Sequence, residues 1–150
     1  MKASLAVLWT VVSLLTPTTA AAQRSTLDRC ISALANDFSR FVERTIECSR
    51  RCEDLIRKGQ LAEDTSCTAP SEDSATQICL LRARERITGS RAAARLACSD
   101  REIDLFYGGT FACFGPNETV DDLTNCLAAQ GEFFANDLMR QLMRPKFTIQ

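Results

Sequence analysis

The 150-residue chain contains no histidine. That absence removes Ser-His-Asp and Cys-His catalysis, His-ligated metal hydrolysis and the His-dependent secreted phospholipase mechanism. It also removes haem attachment of the C-x-x-C-H type. Aromatic residues are few: one Trp, one Tyr and eight Phe. The single Trp is Trp9, inside the N-terminal apolar stretch, so the rest of the chain has no indole to stack a sugar or a base. Long apolar runs are missing too. The longest is about 11 residues, "LAVLWTVVSLL", against the ~18–20 that a membrane-spanning helix needs. There is no block of one charge sign large enough to suggest a nucleic-acid surface, since the formal net charge is −1. Alternating apolar and polar runs, the mark of strands, are absent as well.

What is present starts with an export-like leader. Lys2 precedes the apolar run, and the small residues Ala20–Ala22 follow it. This is the pattern of a cleaved signal peptide over residues 1–22. The remaining residues, 23–150, form a stretch of the right length for a single domain with its own core. All eight cysteines lie in that stretch. In an exported chain an even number of cysteines reads as a disulfide framework. The expected compartment is therefore extracellular or periplasmic.

Three long helices are expected. The first runs from about Thr26 to Lys58. Ser25 is its candidate cap, Leu27, Ile31, Leu34, Phe38, Phe41, Val42 and Ile46 form its apolar stripe, and Gly59 stops it. Its charged face offers Glu47–Arg51, Glu53–Arg57 and Asp54–Lys58 as i,i+4 pairs. The second runs from about Glu72 to Cys98 behind a Ser71 cap, with a bend or break expected at Thr88–Ser90. Its apolar residues are Ile78, Leu80, Leu81, Ala83, Ile87, Ala94, Leu96 and Ala97. The third, Val120 to Met143, has Thr119 as cap and Val120, Leu123, Leu127, Phe134, Leu138 and Leu142 as its stripe. A short helical turn fits "DREIDLFY". The fold class is all-α: a disulfide-tied antiparallel helical hairpin with a third long helix, a small helical bundle.

The cysteine spacing sets the register of that hairpin. Residues 18 apart on a helix point the same way, so Cys30 and Cys48 share a stripe, and Cys52 lies one turn on. Across an antiparallel hairpin the sum of facing residue numbers is constant. Cys48 with Cys79 and Cys30 with Cys98 satisfy nearly the same sum. Cys52 then meets Cys67 in the connecting loop, and Cys113 pairs with Cys126. A rival scheme joins Cys98 to Cys113 and Cys30 to Cys126. A metal reading of these thiols needs a reducing compartment or repeated close pairs, and only Cys48 and Cys52 are close. A redox centre prefers C-x-x-C at a helix start.

Several segments invite a functional reading. Arg82, Arg84, Arg86, Arg91 and Arg95 form a basic stretch, with acidic stretches on either side at 59–76 and 99–122. They are expected to face those acids rather than a ligand. Asp37, Glu43 and Glu47 are the acids that a carboxylate-dependent hydrolase would draw on, and they read as solvated partners of neighbouring Arg. Phe38, Phe41, Phe133 and Phe134 would line the pocket of a small apolar-ligand or lipid carrier, and otherwise belong to the core. Asn117-Glu118-Thr119 matches a glycosylation sequon, but Thr119 is already explained as a helix cap.

The order of these features resembles a known pattern. "ECSRRCEDLIRKGQLAEDTSC", "ARERITGSRAAARLAC" and "GGTFACFGPNETVDDLTNCLAAQGEFFANDLM" are similar to segments of an uncharacterised family of exported, cysteine-bearing all-helical proteins predicted in environmental bacteria. The resemblance covers most of residues 30–140. It implies export and an all-helical build. Members of that family tend to be rich in Lys and Ala, whereas this chain is rich in Arg. The function expected from the residues is a non-catalytic binding or interaction module. No cofactor is expected, and the partner expected is a protein or a small apolar ligand, not nucleic acid.

Overall fold

The computed structural model describes residues 18–107 and 119–143. Its elements are α1 (Thr18–Arg57), α2 (Ser74–Thr88), α3 (Ala93–Ala97), α4 (Asp100–Tyr107) and α5 (Val120–Met143). Among the described residues there is no strand, and the fold is all-α. Most of the expected leader, Cys113 and the Asn117-Glu118 pair lie outside the described residues. The expected cleavage point after Ala22 falls inside α1.

α1 begins eight residues earlier than the apolar stripe suggested. Ala20–Ala22 and Gln23 are strong helix formers and carry the helix past Ser25, which is therefore not its cap. Its far end is as expected. Gly59 takes φ +68°, its N–H donates to the Ile56 carbonyl, and the Gln60 N–H donates to the Leu55 carbonyl. This is a Schellman closure, which needs a left-handed residue that glycine supplies without strain. On the charged face Glu47 accepts from both Arg44 and Arg51. These two cations hold its carboxyl below the usual range, Arg44 most strongly. Arg57 pairs with Asp54 one turn back, rather than with Glu53, so neither of the other two expected i,i+4 pairs forms.

The second expected helix is two helices. Asp73, not Ser71, caps α2: the Thr76 N–H and hydroxyl both donate to Asp73 Oδ2, at 2.8 and 2.6 Å. Those bonds hold the Asp73 carboxyl below its usual range. Ser71 is used in the loop instead, its hydroxyl donating to the Ser66 carbonyl and its N–H to Gln77 Oε1. α2 ends at Gly89, and the chain turns before starting α3 at Ala93. That break lets Cys79 and Cys98, 19 residues apart and about 100° out of phase on a straight helix, both face α1.

Three disulfides pin this arrangement: Cys30–Cys98, Cys48–Cys79 and Cys52–Cys67, with Cα–Cα distances of 4.7, 5.8 and 5.5 Å. They are nested, each inside the next. The first of them rules out the rival pairing of Cys30 with Cys126. Cys126 is also disulfide-bonded. Cys113, its expected partner, lies outside the described residues.

The core follows α1 in two adjoining clusters. At one end Cys30 and Leu34 pack with Ala94, Ile103, Val120 and Leu123. In the middle Phe41 and Val42 pack with Ala83, Ile87 and Ala128. Leu127 touches both. Residue numbers therefore rise together along α1 and α5, so these helices run parallel, while α2 runs antiparallel to both. Arg84 Nη1 donates to Glu132 Oε1 at 2.9 Å across the α2–α5 seam. Two reciprocal boxes start the last helices. Ser99 and Glu102 cap α4, and the Ser99 N–H leads the groups that hold the Glu102 carboxyl below its usual range. Thr119 and Asp122 cap α5, and Asp100 ties it to α4 by accepting the Val120 N–H.

The buried stripe of α5 agrees with the expected one at Val120 and Leu123, and Leu127 and Leu138 are half-buried. It departs at Phe134 and Leu142, which are exposed, and the inner face carries Thr124, Ala128, Gly131, Ala135 and Met139 as well. Small residues face α1 because the ring of Phe41 fills the space between the helices. A β-carbon at Gly131 would lie 2.7 Å from Phe41 Cε1 and 3.1 Å from Phe38 Cε2. Ile31, Ile78, Leu81 and Leu96 are also exposed rather than buried, the last at 80%. The hairpin buries a narrower stripe than its apolar content allows.

Gly131→Ala tests the close approach. Alanine gains about 1 kcal/mol in a helix interior, and overpacking a closed core costs about 1–3 kcal/mol. Because Phe41 is fully buried, the second effect wins. Thermal unfolding under non-reducing conditions is expected to show a lowered midpoint. A raised midpoint would mean the helices are further apart than described.

Candidate functional site

Asp37 lies not on a solvated face, as its charge suggests, but in the interior, 6% exposed. It sits three residues after Leu34 and four before Phe41, which puts it on the apolar stripe itself. That spacing was the available signal. Its Oδ2 accepts the Ala94 N–H at 2.9 Å. The α3 N-cap position, Ala92, has no side chain able to cap, so one of the orphan donors of α3 is satisfied from α1, 57 residues away in sequence.

The turn between α2 and α3 is held by several such bonds. The Ala92 N–H donates to the Gly89 carbonyl at 3.0 Å. Arg95 Nη2 donates to the Thr88 carbonyl at 3.1 Å and the same side chain pairs with Asp121 of α5. The Thr88 hydroxyl donates back to the Arg84 carbonyl. The backbone that presents Arg91, Ala92 and Ala93 is therefore fixed from α1, α2 and α5 together.

This turn closes one side of an open cleft of about 570 Å³ lined by Asp37, Arg40, Arg82, Glu85, Arg86, Arg91, Ala92 and Ala93. α1 contributes Asp37 and Arg40, α2 contributes Arg82, Glu85 and Arg86, and the turn contributes the rest. Four guanidinium groups meet two carboxylates there. Asp37 already accepts from Ala94, and none of the four arginines is ion-paired among the described residues. Arg82 and Arg86 are four apart on one helix face, so their like charges repel.

The expected fate of the basic stretch is thus only partly realised. Arg95 does face an acid of the 99–122 segment, Asp121. Arg84 instead pairs with Glu132 on α5, outside both acidic stretches. Arg82, Arg86 and Arg91 join Arg40 of α1, which lies outside the basic stretch.

The other expected sites do not assemble. Phe41 is buried in the core and Phe38 packs beside it. Phe133 and Phe134 point outward, 73% and 55% exposed, so the four rings do not line one pocket. Glu47 is engaged by Arg44 and Arg51. A cleft of about 530 Å³ beside Arg95, Asp100 and Asp121 has its charges matched internally, Arg95 with Asp121 and Asp100 with the Val120 N–H. A smaller one of about 280 Å³ is bounded by the Arg84–Glu132 pair.

No protein-family model, curated protein or solved structure matches this chain. The meaning of the cleft rests on its own residues.

Removing the Asp37 acceptor by Asp37→Ala leaves the Ala94 N–H unsatisfied in a buried position. A loss of about 1–2 kcal/mol is expected in non-reducing denaturant unfolding. Asp37→Asn keeps an acceptor and is expected to lose less than half as much. An unchanged Asp37→Ala stability would show that the cap does not hold the turn.

Proposed function

We propose that this protein is an exported, non-catalytic binding module, built to work in an oxidising compartment outside the cytoplasm. The observation that carries the reading is the commitment of its cysteines to structure. Three nested disulfides tie the described helices, and among the described residues no cysteine is free. Such bonds persist outside a reducing cytosol. The leader pattern at residues 1–22 agrees with this. Among the described residues no helix is long and apolar enough to cross a membrane.

The binding half of the reading rests on the arginine-lined cleft. It has the size of a small-molecule site, and its wall is held by bonds from three helices. The non-catalytic half draws on the missing histidine and on the engagement of Asp37 and Glu47 by other groups. Export and the all-helical build also agree with the family that the chain resembles. A carrier for apolar ligands is less well supported, because Phe133 and Phe134 face outward.

Mass spectrometry of protein recovered from outside the cytoplasm, under native and non-reducing conditions, tests the reading. The expected chain begins at Gln23, carries no thiol that reacts with an alkylating reagent, and holds a non-covalent mass lost on denaturation. A reduced, full-length chain confined to the cytosol would overturn export. Conversion of the bound species to product on incubation would overturn the non-catalytic assignment.

A further inference from the structure

The ligand chemistry follows from the charge of the cleft. We infer that it holds a small molecule bearing a phosphate or sulfate group, a compact dianion seated among Arg40, Arg82, Arg86 and Arg91. This deepens the binding-module reading and rests on it.

Guanidinium groups donate hydrogen bonds and accept none, so the cleft selects for acceptors. Four such groups against Asp37 and Glu85 leave a local excess of two positive charges inside a protein whose overall charge is −1. The excess is therefore a property of the cleft and not of the surface in general. A dianion cancels it. The donors come from three directions: α1, α2 and the α2–α3 turn. That suits a tetrahedral anion, whose charged oxygens point apart, better than a planar monocarboxylate. Arg82 and Arg86 repel each other one helical turn apart, and an anion between them converts that repulsion into attraction. Five other arginines, Arg44, Arg51, Arg57, Arg84 and Arg95, are paired with acids. The four in the cleft have no such ion pair among the described residues, and they share one cleft.

Size argues for a small molecule rather than a polyanion. An open cleft of about 570 Å³ matches a group of metabolite dimensions, and the acidic segments flanking the basic stretch in sequence oppose a long phosphate backbone.

Asp37 has a second part here as a positioning residue. It does not face the anion with both oxygens, because Oδ2 is engaged by the Ala94 N–H. Its hydrogen bond fixes the turn that carries Arg91.

The test is calorimetric titration of the disulfide-intact protein at low ionic strength with four probes: inorganic phosphate, inorganic sulfate, a sugar phosphomonoester and malonate. Phosphate or sulfate is expected to bind with a submillimolar Kd, of the order of 5 kcal/mol. The sugar phosphate is expected to bind more tightly than the free ion if the native ligand is phosphorylated. If sulfate exceeds both, the ligand is a sulfate ester. The paired variant Arg82→Gln/Arg86→Gln is expected to weaken binding at least tenfold. Both side chains are exposed, so its thermal midpoint should stay close to that of the parent. Arg40→Gln is expected to weaken binding independently, and Arg50→Gln, exposed on α1 outside the cleft lining, to leave it unchanged. Undiminished binding in the paired variant would overturn the site, as would malonate binding more tightly than phosphate and sulfate. Retention of the native ligand by that variant would remove the anion site while leaving a binding module. Absence of any ligand on the native protein would remove both.

Discussion

Everything in this structure depends on the cross-linking of α1. Three of its cysteines, Cys30, Cys48 and Cys52, are each tied to a different part of the returning chain. Closing a loop of about 15 residues contributes roughly 3 kcal/mol by restricting the unfolded chain. Because the loops are nested, each outer bond closes a loop already shortened by the inner one. Successive contributions therefore stay near that figure rather than growing with sequence separation. This offsets a thin core. Leu81, Leu96, Phe133 and Phe134 bury little, and the fully buried side chains include Cys30, Cys48 and Cys52 themselves. The sulfur atoms act as both staples and packing.

A scaffold fixed by covalent bonds can carry features that weaken a fold. Arg82 and Arg86 repel on one face of α2, with Arg91 and Arg40 close by. Asp37 is a carboxylate placed within the apolar stripe of the central helix. The repulsion costs stability, the desolvation of Asp37 is offset by its bond to the Ala94 N–H, and both features serve the same corner of the molecule. Asp37 caps α3, the cap holds the turn, and the turn forms the wall of the cleft. The break between α2 and α3 connects the two roles. It brings Cys98 round to Cys30 and at the same time exposes the turn that carries Arg91.

Much of this architecture was legible because it depends on periodicity. The 18-residue spacing of Cys30 and Cys48 and the constant sum across the hairpin describe helices, and helices obey those counts. The α2–α3 break was visible in Gly89, and the Thr119 cap in its own side chain. What was not legible depends on partners distant in sequence. Asp37 looks like a solvated acid until Ala94 lies beside it. Beyond Leu127 the large apolar residues Phe134 and Leu142 look in sequence like the inner face of α5. In fact Phe41 takes the volume and leaves room only for Ala128, Gly131 and Ala135. Arg40 joined the cleft unannounced because it belongs to a different helix from the other three arginines. Ser71 and Asp73 are both good caps, and the loop's own hydrogen bonds decided between them.

The connectivity itself is the most direct test. Arg50 and Arg51 separate Cys48 from Cys52, so trypsin places them on different peptides, and cleavage after Glu72 parts Cys67 from Cys79. Digestion of the non-reduced protein with trypsin and a glutamate-specific protease should release residues 30–40 or a subfragment bearing Cys30 joined to a fragment bearing Cys98. The Cys48 and Cys52 peptides should be joined to Cys79 and Cys67 respectively. Cys30 joined to Cys126, or free thiols at Cys48 and Cys52, would contradict the register on which the hairpin, the Asp37 cap and the arginine cleft all rest.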